Sequence, residues 1–316
     1  MLSRRLLRVK VMQTVYAYHK NEGMTLQQAE NNLLHSIHKS FELYHLCLLL
    51  LVDVRLYAEN RIEIGRNKKR PSFAELNPNT RFIDNRLLNL LSENKQLLKF
   101  IEQTGLSWSN YPEVVKSVYE QICESELYTE YMASDKTTFE NDHKFIVKLT
   151  EKVIAQNEML YNNIEEQSIF WNDESEFVMS MVIKTLKEYK ERSGINQQLL
   201  QEFKDEDDRE FVVTLLRKAI LNHSELPDMI KKFSKNWDPD RIAFMDVVLM
   251  EIALAEIMEF STIPIKVTLN EYIELAKHYS TPKSGFFING LLDKIITEYK
   301  QLGRIRKIGS EMLELN

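Results

Sequence analysis

The chain has 316 residues, 44% hydrophobic and 28% charged, with a formal net charge of −6, a composition that excludes disordered and collagen-like classes and suits a core-forming protein. Eight glycines and seven prolines are about 5% of the residues where roughly 12% is usual, so the fold is most simply all-α. Two cysteines, Cys47 and Cys123, exclude a disulfide framework and a cysteine-rich zinc site.

Residues 3–20 predict a helix anchored by Leu6, Val9, Met12 and Tyr16. At 100° per residue, Arg4, Arg5 and Arg8 share a stripe about 100° wide. The same segment holds Lys10 and Lys20 and no acid, so the negative net charge conceals a basic end. An arginine-rich start leading into an amphipathic segment does not fit a secretory signal. Residues 24–64 predict a long helix with Thr25 as cap and Gly65 as stop. The longest apolar run, Leu46 to Val52, is far too short to cross a bilayer, so no membrane partner and a cytoplasmic location are expected.

Charge, proline and asparagine cluster from Arg66 to Asn79, which predicts a linker. Further helices are expected over 83–103, 112–132, 139–166 and 174–192, with Gly105 and Gly194 at helix ends. The acids Asp205-Glu206-Asp207-Asp208 favour a helix amino terminus, and Phe211, Val212, Leu215, Leu216 and Ile220 continue with helical spacing. Asp238-Pro239 reads as a cap followed by a first-turn proline, introducing Ile242, Met245, Val248, Leu249 and Ile252. Pro264 ends that apolar run, and Asn270 and Ser284 stand near the starts of the last two helices. Asn289-Gly290 interrupts the final apolar helix, where glycine costs about 1 kcal/mol relative to alanine; close packing would explain it.

Nothing in the chain reads as a catalytic site. There is no phosphate-binding loop, no dinucleotide fingerprint and no nucleophile elbow. Glu42-x-x-His45 and Glu140-x-x-His143 resemble paired elements of di-iron bundles, but two such spacings are little more than chance in so glutamate-rich a chain. No metal and no cofactor are expected. The chemistry on offer is that of binding. Guanidinium forks at Arg4, Arg5 and Arg8 suit phosphate, with Lys10 and Gln13 beside them to touch a base or ribose. Phosphate contacts carry little sequence information, so single-stranded RNA would be read by stacking and base-edge hydrogen bonds. Phe286, Phe287 and Tyr279 beside Lys277, Lys283 and Ser284 supply such groups.

Two segments carry a resemblance. Ile263-Pro264-Ile265-Lys266-Val267-Thr268-Leu269-Asn270-Glu271 runs into Ile273-Glu274-Leu275-Ala276-Lys277, and Phe287-Ile288-Asn289-Gly290-Leu291-Leu292-Asp293-Lys294 follows. With Arg4-Arg5, Arg8, Gln13 and Tyr16 at the front, this combination resembles the NusB family of bacterial transcription antitermination factors. The likeness covers residues 3–20 and 205–297, about a third of the chain, with about 180 residues intervening.

The resemblance implies a NusB-like helical bundle divided as 1–20 (first core helix), 21–200 (helical insertion), 201–305 (rest of the core) and 306–316 (tail). It implies a non-enzymatic factor that pairs with the ribosomal protein NusE and binds single-stranded boxA-like RNA of ribosomal RNA operons within the transcription elongation complex. Self-association, as in some family members, is a further implied contact. The implied partner surface includes Tyr16, Asp246 and Lys283, with Lys283 near the junction of partner and RNA. The sequence departs from the family pattern at Lys283, in a loop that often carries acids, and at Glu251, which replaces a frequent arginine. The alternative is a helical scaffold that keeps the fold, no longer binds RNA, and uses its acidic insertion for another protein. A NusB-like front on an RNA methyltransferase does not fit, since only about 20 residues follow the likeness and neither cysteine follows a proline.

Overall fold

The structure is a computed structural model that describes residues 2–223, 226–233 and 242–308; among them every regular element is helical. In chain order these are α1 (Arg4–Lys20), α2 (Leu26–Arg66), α3 (Phe73–Leu76), α4 (Arg86–Ser92), α5 (Lys95–Thr104), α6 (Pro112–Glu124), α7 (Glu126–Ala133), α8 (Phe139–Lys152), α9 (Glu158–Gln167) and α10 (Ser175–Glu188). There follow α11 (Glu206–Asn222), α12 (Leu226–Phe233), α13 (Phe244–Glu259), α14 (Ile265–Tyr279) and α15 (Ser284–Gln301). The chain divides into two compact units, His38–Glu202 and Leu2–Ile37 with the residues from Phe203 onward. These limits differ from the expected 20/21 and 200/201 in that α2 contributes its first twelve residues to the second unit.

Local capping explains where helices begin and break. Thr25 and Gln28 form a reciprocal box at the start of α2, Gln28 N–H donating to Thr25 Oγ1 at 3.2 Å and Thr25 N–H to Gln28 Oε1 at 2.8 Å, which satisfies two otherwise orphaned donors. Three predicted long helices are each split because a polar side chain inside the apolar pattern captures the next helix's free N–H groups. Asn94 accepts from Gln96 and Leu97 N–H, Ser125 from Tyr128 N–H, and Asn157 from Leu160 N–H. Gly105 ends α5 in the left-handed conformation at φ 70°. Gly65 does not stop α2, which runs on through Arg66. Helix α14 starts at Ile265, directly after Pro264 and ahead of the expected Asn270. The cap expected at Asp238-Pro239 lies outside the described residues.

The second unit is organised around α13. Val248 through Ile257 are all buried, as befits a helix that is apolar on every face and therefore central. Against it pack α1, α11, α14 and α15, contributing Leu7, Val11 and Val15, then Phe211, Leu215 and Leu216, then Leu275, and finally Leu291, Leu292 and Ile295. Besides Asp246 in its first turn, two carboxylates in the body of this helix, Glu251 and Glu256, are buried. A buried charge is tolerated only with partners, and the partners chosen define the neighbourhood of α1. The first unit has its own core, including Leu43, Tyr44, Leu50, Leu87, Trp108, Val118, Ile146 and Val182.

Candidate nucleic-acid and partner interface

Helix α1 divides its arginines between surface and interior. Arg8 is 4% exposed, and it donates from Nε to Glu256 Oε2 at 2.7 Å and from Nη2 to Glu256 Oε1 at 2.8 Å. Burial alone would lower its pKa, but the hydrogen bonds and charge of Glu256 outweigh that and hold it above the ordinary arginine value. Glu256 also accepts from Thr268 Oγ1 at 2.7 Å and from the Tyr272 hydroxyl at 3.1 Å. Burial, followed by the Glu256 charge, pushes the Tyr272 hydroxyl well up. Arg4 and Arg5 stay at the surface. Arg4 bonds Asp208 at 2.9 Å and lies over the Phe211 ring, and Arg5 holds Glu271 in a two-bond fork at 2.8 Å. The Arg5 fork keeps the Glu271 carboxyl below its usual range. Lys10 is buried and Gln13 half-buried.

The second group of expected contacts lies where α13, α14 and α15 converge. Asp246, 4% exposed, accepts from Ser280 Oγ at 2.6 Å and Ser284 Oγ at 2.9 Å, so it ties the α14–α15 turn to the front of α13. A cleft of about 200 Å³ opens here, lined by Ile242, Ala243, Asp246, Thr281, Lys283, Ser284 and Phe287. Lys283 is exposed at its rim. Phe287 is buried, whereas its neighbour Phe286 is 88% exposed. Lys277 is exposed and paired with Glu274 at 2.5 Å.

At the far end of α1, Tyr16 is exposed and meets the Phe244 ring edge-on at 5.3 Å, while the Lys20 ammonium sits 4.1 Å from the Phe244 centroid. One turn away is a group that the pattern of residues did not bring forward. His19 Nε2 lies 2.9 Å from Glu251 Oε2, and His223 Nδ1 lies 3.0 Å from the same oxygen. Only the unusual glutamate at 251 signalled it, since the two histidines are 204 residues apart in sequence and carry no motif.

The structure therefore gathers Arg4, Arg5, Gln13, Tyr16, Lys277 and Lys283 as side chains with surface exposure. Arg8, Lys10, Ser284 and Phe287, expected to touch RNA, and Asp246, expected to touch a partner, instead face inward. The reason is position along the helix: at 100° per residue Arg8 lies between Arg4 and Arg5 on one stripe, but Arg4 and Arg5 are the first two residues of α1, whereas Arg8 is one turn further in, beside the buried Leu7 and Val11. In the first unit, His45 Nδ1–H donates to Phe41 O at 2.9 Å and the ring stacks on Phe100, and His143 Nε2–H donates to Leu186 O at 2.7 Å; neither Glu-x-x-His pair converges on a shared point. A cleft of about 770 Å³ in that unit is lined by Glu158, Glu165, Asp173 and Glu176 among others, the wrong sign for a phosphate backbone.

Comparison with known proteins bears on the second unit above all. The sequence model described as "NusB family" matches residues 178–297. The chain is 34% identical over 141 residues to the transcription antitermination protein NusB of Salinibacter ruber, covering 43% of this chain and 88% of that relative. It is 38% identical over 107 residues to the same-named protein of Chloroherpeton thalassium, 34% of this chain and 51% of the relative. For Acetivibrio thermocellus NusB the identity is 39% over 102 residues, 32% of this chain and 70% of the relative. No solved structure gives a significant match.

Proposed function

The chain belongs to the NusB family, and from that premise we propose that it is a non-enzymatic, RNA-binding transcription antitermination factor. It pairs with the ribosomal protein NusE and binds single-stranded boxA-like RNA of ribosomal RNA operons as part of the transcription elongation complex. The observation that carries this reading is the amino end of α15, where the exposed Lys283 and the nearly bare Phe286 ring stand three residues apart. A single exposed phenylalanine is ordinary. Beside a lysine and a helix amino terminus it becomes a base-stacking platform next to a phosphate-attracting end.

Arg4 and Arg5 extend that platform's chemistry along α1. The Arg5–Glu271 pair lies at the surface and is worth at most about 1 kcal/mol, so a phosphate can take over that guanidinium at little cost, whereas the partner of Arg4, Asp208, is buried. Tyr16, Phe244 and Lys20 form the aromatic, cationic patch we assign to NusE, with Lys283 facing both partners. Within the unit His38–Glu202, the residues ahead of the family match, which begins at 178, are the inserted segment. The second reading, a scaffold of the same fold that no longer binds RNA, draws support from Asp208, Glu271 and Glu274, which already neutralise Arg4, Arg5 and Lys277.

Fluorescence anisotropy separates the two, using a boxA-like strand and a scrambled strand, with and without NusE. Wild type is compared with Arg4→Glu/Arg5→Glu and with Phe286→Ala. Tighter, NusE-enhanced binding to boxA that falls in both variants supports the antitermination factor. Equal, weak binding to both strands in every case leaves the scaffold.

A further inference from the structure

Two buried carboxylates on α13 are neutralised by different chemistry. Glu256 has a permanent cation, Arg8, and two hydroxyl donors. Glu251, 3% exposed, has two imidazoles, groups that are metal ligands as readily as hydrogen-bond partners. We propose that His19, His223 and Glu251 form a site for one divalent transition-metal ion of the zinc class, joining the last turn of α1, the cap of α11 and the middle of α13.

The geometry is close to what such an ion requires. The three ligand atoms all lie within 4.8 Å of one another, with the carboxylate oxygen 2.9 Å from His19 Nε2 and 3.0 Å from His223 Nδ1. Zinc bonds nitrogen and oxygen at about 2.0–2.2 Å in a tetrahedron, which places neighbouring ligand atoms roughly 3.3–3.5 Å apart. The two carboxylate–imidazole edges thus need to open by only a few tenths of an ångström. The imidazole rings, 4.1 Å apart at 36°, sit side by side, and each ligand comes from a helix or its cap, so its position is fixed by packing.

The donor set selects the class of ion. Two nitrogens and one oxygen suit zinc and its neighbours, whereas magnesium and calcium favour all-oxygen shells. The His223 side chain is 36% exposed and that of His19 11%, so solvent reaches the His223 side and supplies a fourth ligand. Phe244 stands edge-on to His19. A divalent charge in this place would match the buried carboxylate without relying on a protonated histidine.

The test uses the untagged full-length chain, titrated with Zn²⁺ in competition with a chromophoric chelator and, separately, with Co²⁺ to read its visible absorption. The expected result is one ion per chain, a four-coordinate Co²⁺ spectrum, and a loss of at least tenfold in affinity for both His19→Gln and His223→Gln. Thermal unfolding adds a second readout, Zn²⁺ raising the midpoint of wild type and of neither variant. His223→Gln decides the matter if His19→Gln does not fold, because His223 is the more exposed of the two ligands. His38→Gln is the control, since His38 with Glu42 and Glu202 is the competing surface group. Absence of stoichiometric binding, retention of it in His223→Gln, or its loss in His38→Gln alone would each overturn the site.

Discussion

Arg8 and Glu256 are 248 residues apart in sequence and joined by two short hydrogen bonds in the interior of one helical unit. The pair fixes α1 on α13 and takes Arg8 out of the set of residues that an RNA can reach. Removing one member of a buried pair leaves the other charged and unpartnered, at a cost of about 3–5 kcal/mol. Arg8→Ala should therefore lower the stability of the chain in urea by that amount, while Arg5→Ala, at the surface, should change it by less than about 1 kcal/mol. Equal effects of the two substitutions would mean that the pair is not structural. The same contrast warns against charge reversal at Arg8 as a probe of RNA binding, since a loss of affinity there would report unfolding.

Adjacent phenylalanines on α15 are predicted to separate stability from binding. Phe287 is in the core and Phe286 in solvent. Truncating a buried phenylalanine costs about 3–5 kcal/mol, so Phe287→Ala should be strongly destabilised. Phe286→Ala should leave the unfolding midpoint nearly unchanged yet lose about 1–3 kcal/mol of RNA affinity if a base stacks on the ring. An unchanged affinity in Phe286→Ala would remove the ring from the interface.

Lys283 offers a cleaner electrostatic test than the arginines, because no ion pair to it occurs among the described residues. Each phosphate neutralised on a single strand contributes roughly −0.7 to the slope of log K against log salt. Lys283→Ala should weaken binding to all strands alike and flatten that slope by about 0.7. A flattened slope only in the presence of NusE would place Lys283 on the partner instead.

The helical class and the order of helices were legible because they depend on local composition and spacing. Caps were partly legible: Thr25 and Gly105 were visible, whereas Asn94, Ser125 and Asn157 were hidden inside apolar patterns that looked continuous. The site was harder to read. Arg4, Arg5 and Arg8 share one stripe of a helical wheel, and the buried Glu256, far along the chain, is what holds Arg8 inward. Phe286 and Phe287 are likewise consecutive, and one residue of helical phase separates core from solvent. Asp246 looked like a helix-surface acid until Ser280 and Ser284 enclosed it. Such contacts are set by tertiary packing, which spacing along one chain does not encode.

Gly290 corrects one expectation and yields a prediction. It lies inside α15, is exposed, and a Cβ added there would meet nothing within 4 Å. Close packing therefore does not explain the glycine. Gly290→Ala should stabilise the chain by about 0.5–1 kcal/mol, through the helical preference of alanine and the smaller entropy of the unfolded chain. If the substitution instead weakens binding of RNA or NusE at unchanged stability, the bare backbone at Gly290 is part of the interface.

The first unit carries its own pH signature. His45 is 3% exposed, stacked on Phe100 at 3.8 Å, and burial depresses its pKa from 6.5 to about 4. The unfolded chain therefore takes up the proton first as pH falls. The stability that a neutral His45 contributes is fully present above about pH 6.5 and is lost progressively as the pH drops toward 4, to a total of at most roughly 3 kcal/mol. Asp53 works in the opposite sense. Burial raises its pKa from 3.8 to about 6, so the folded state binds the extra proton and stability falls as pH rises through that window. Wild type alone would show only the difference of the two. His45→Phe removes the histidine's share while keeping an aromatic ring against Phe100. Unfolding followed by tryptophan fluorescence, to which Trp108 and Trp171 of the same core contribute, should then show that acidification from pH 6.5 to 4.5 destabilises wild type more than the variant. Parallel pH profiles for the two proteins would mean that His45 accepts its proton in the folded state as easily as in the unfolded one.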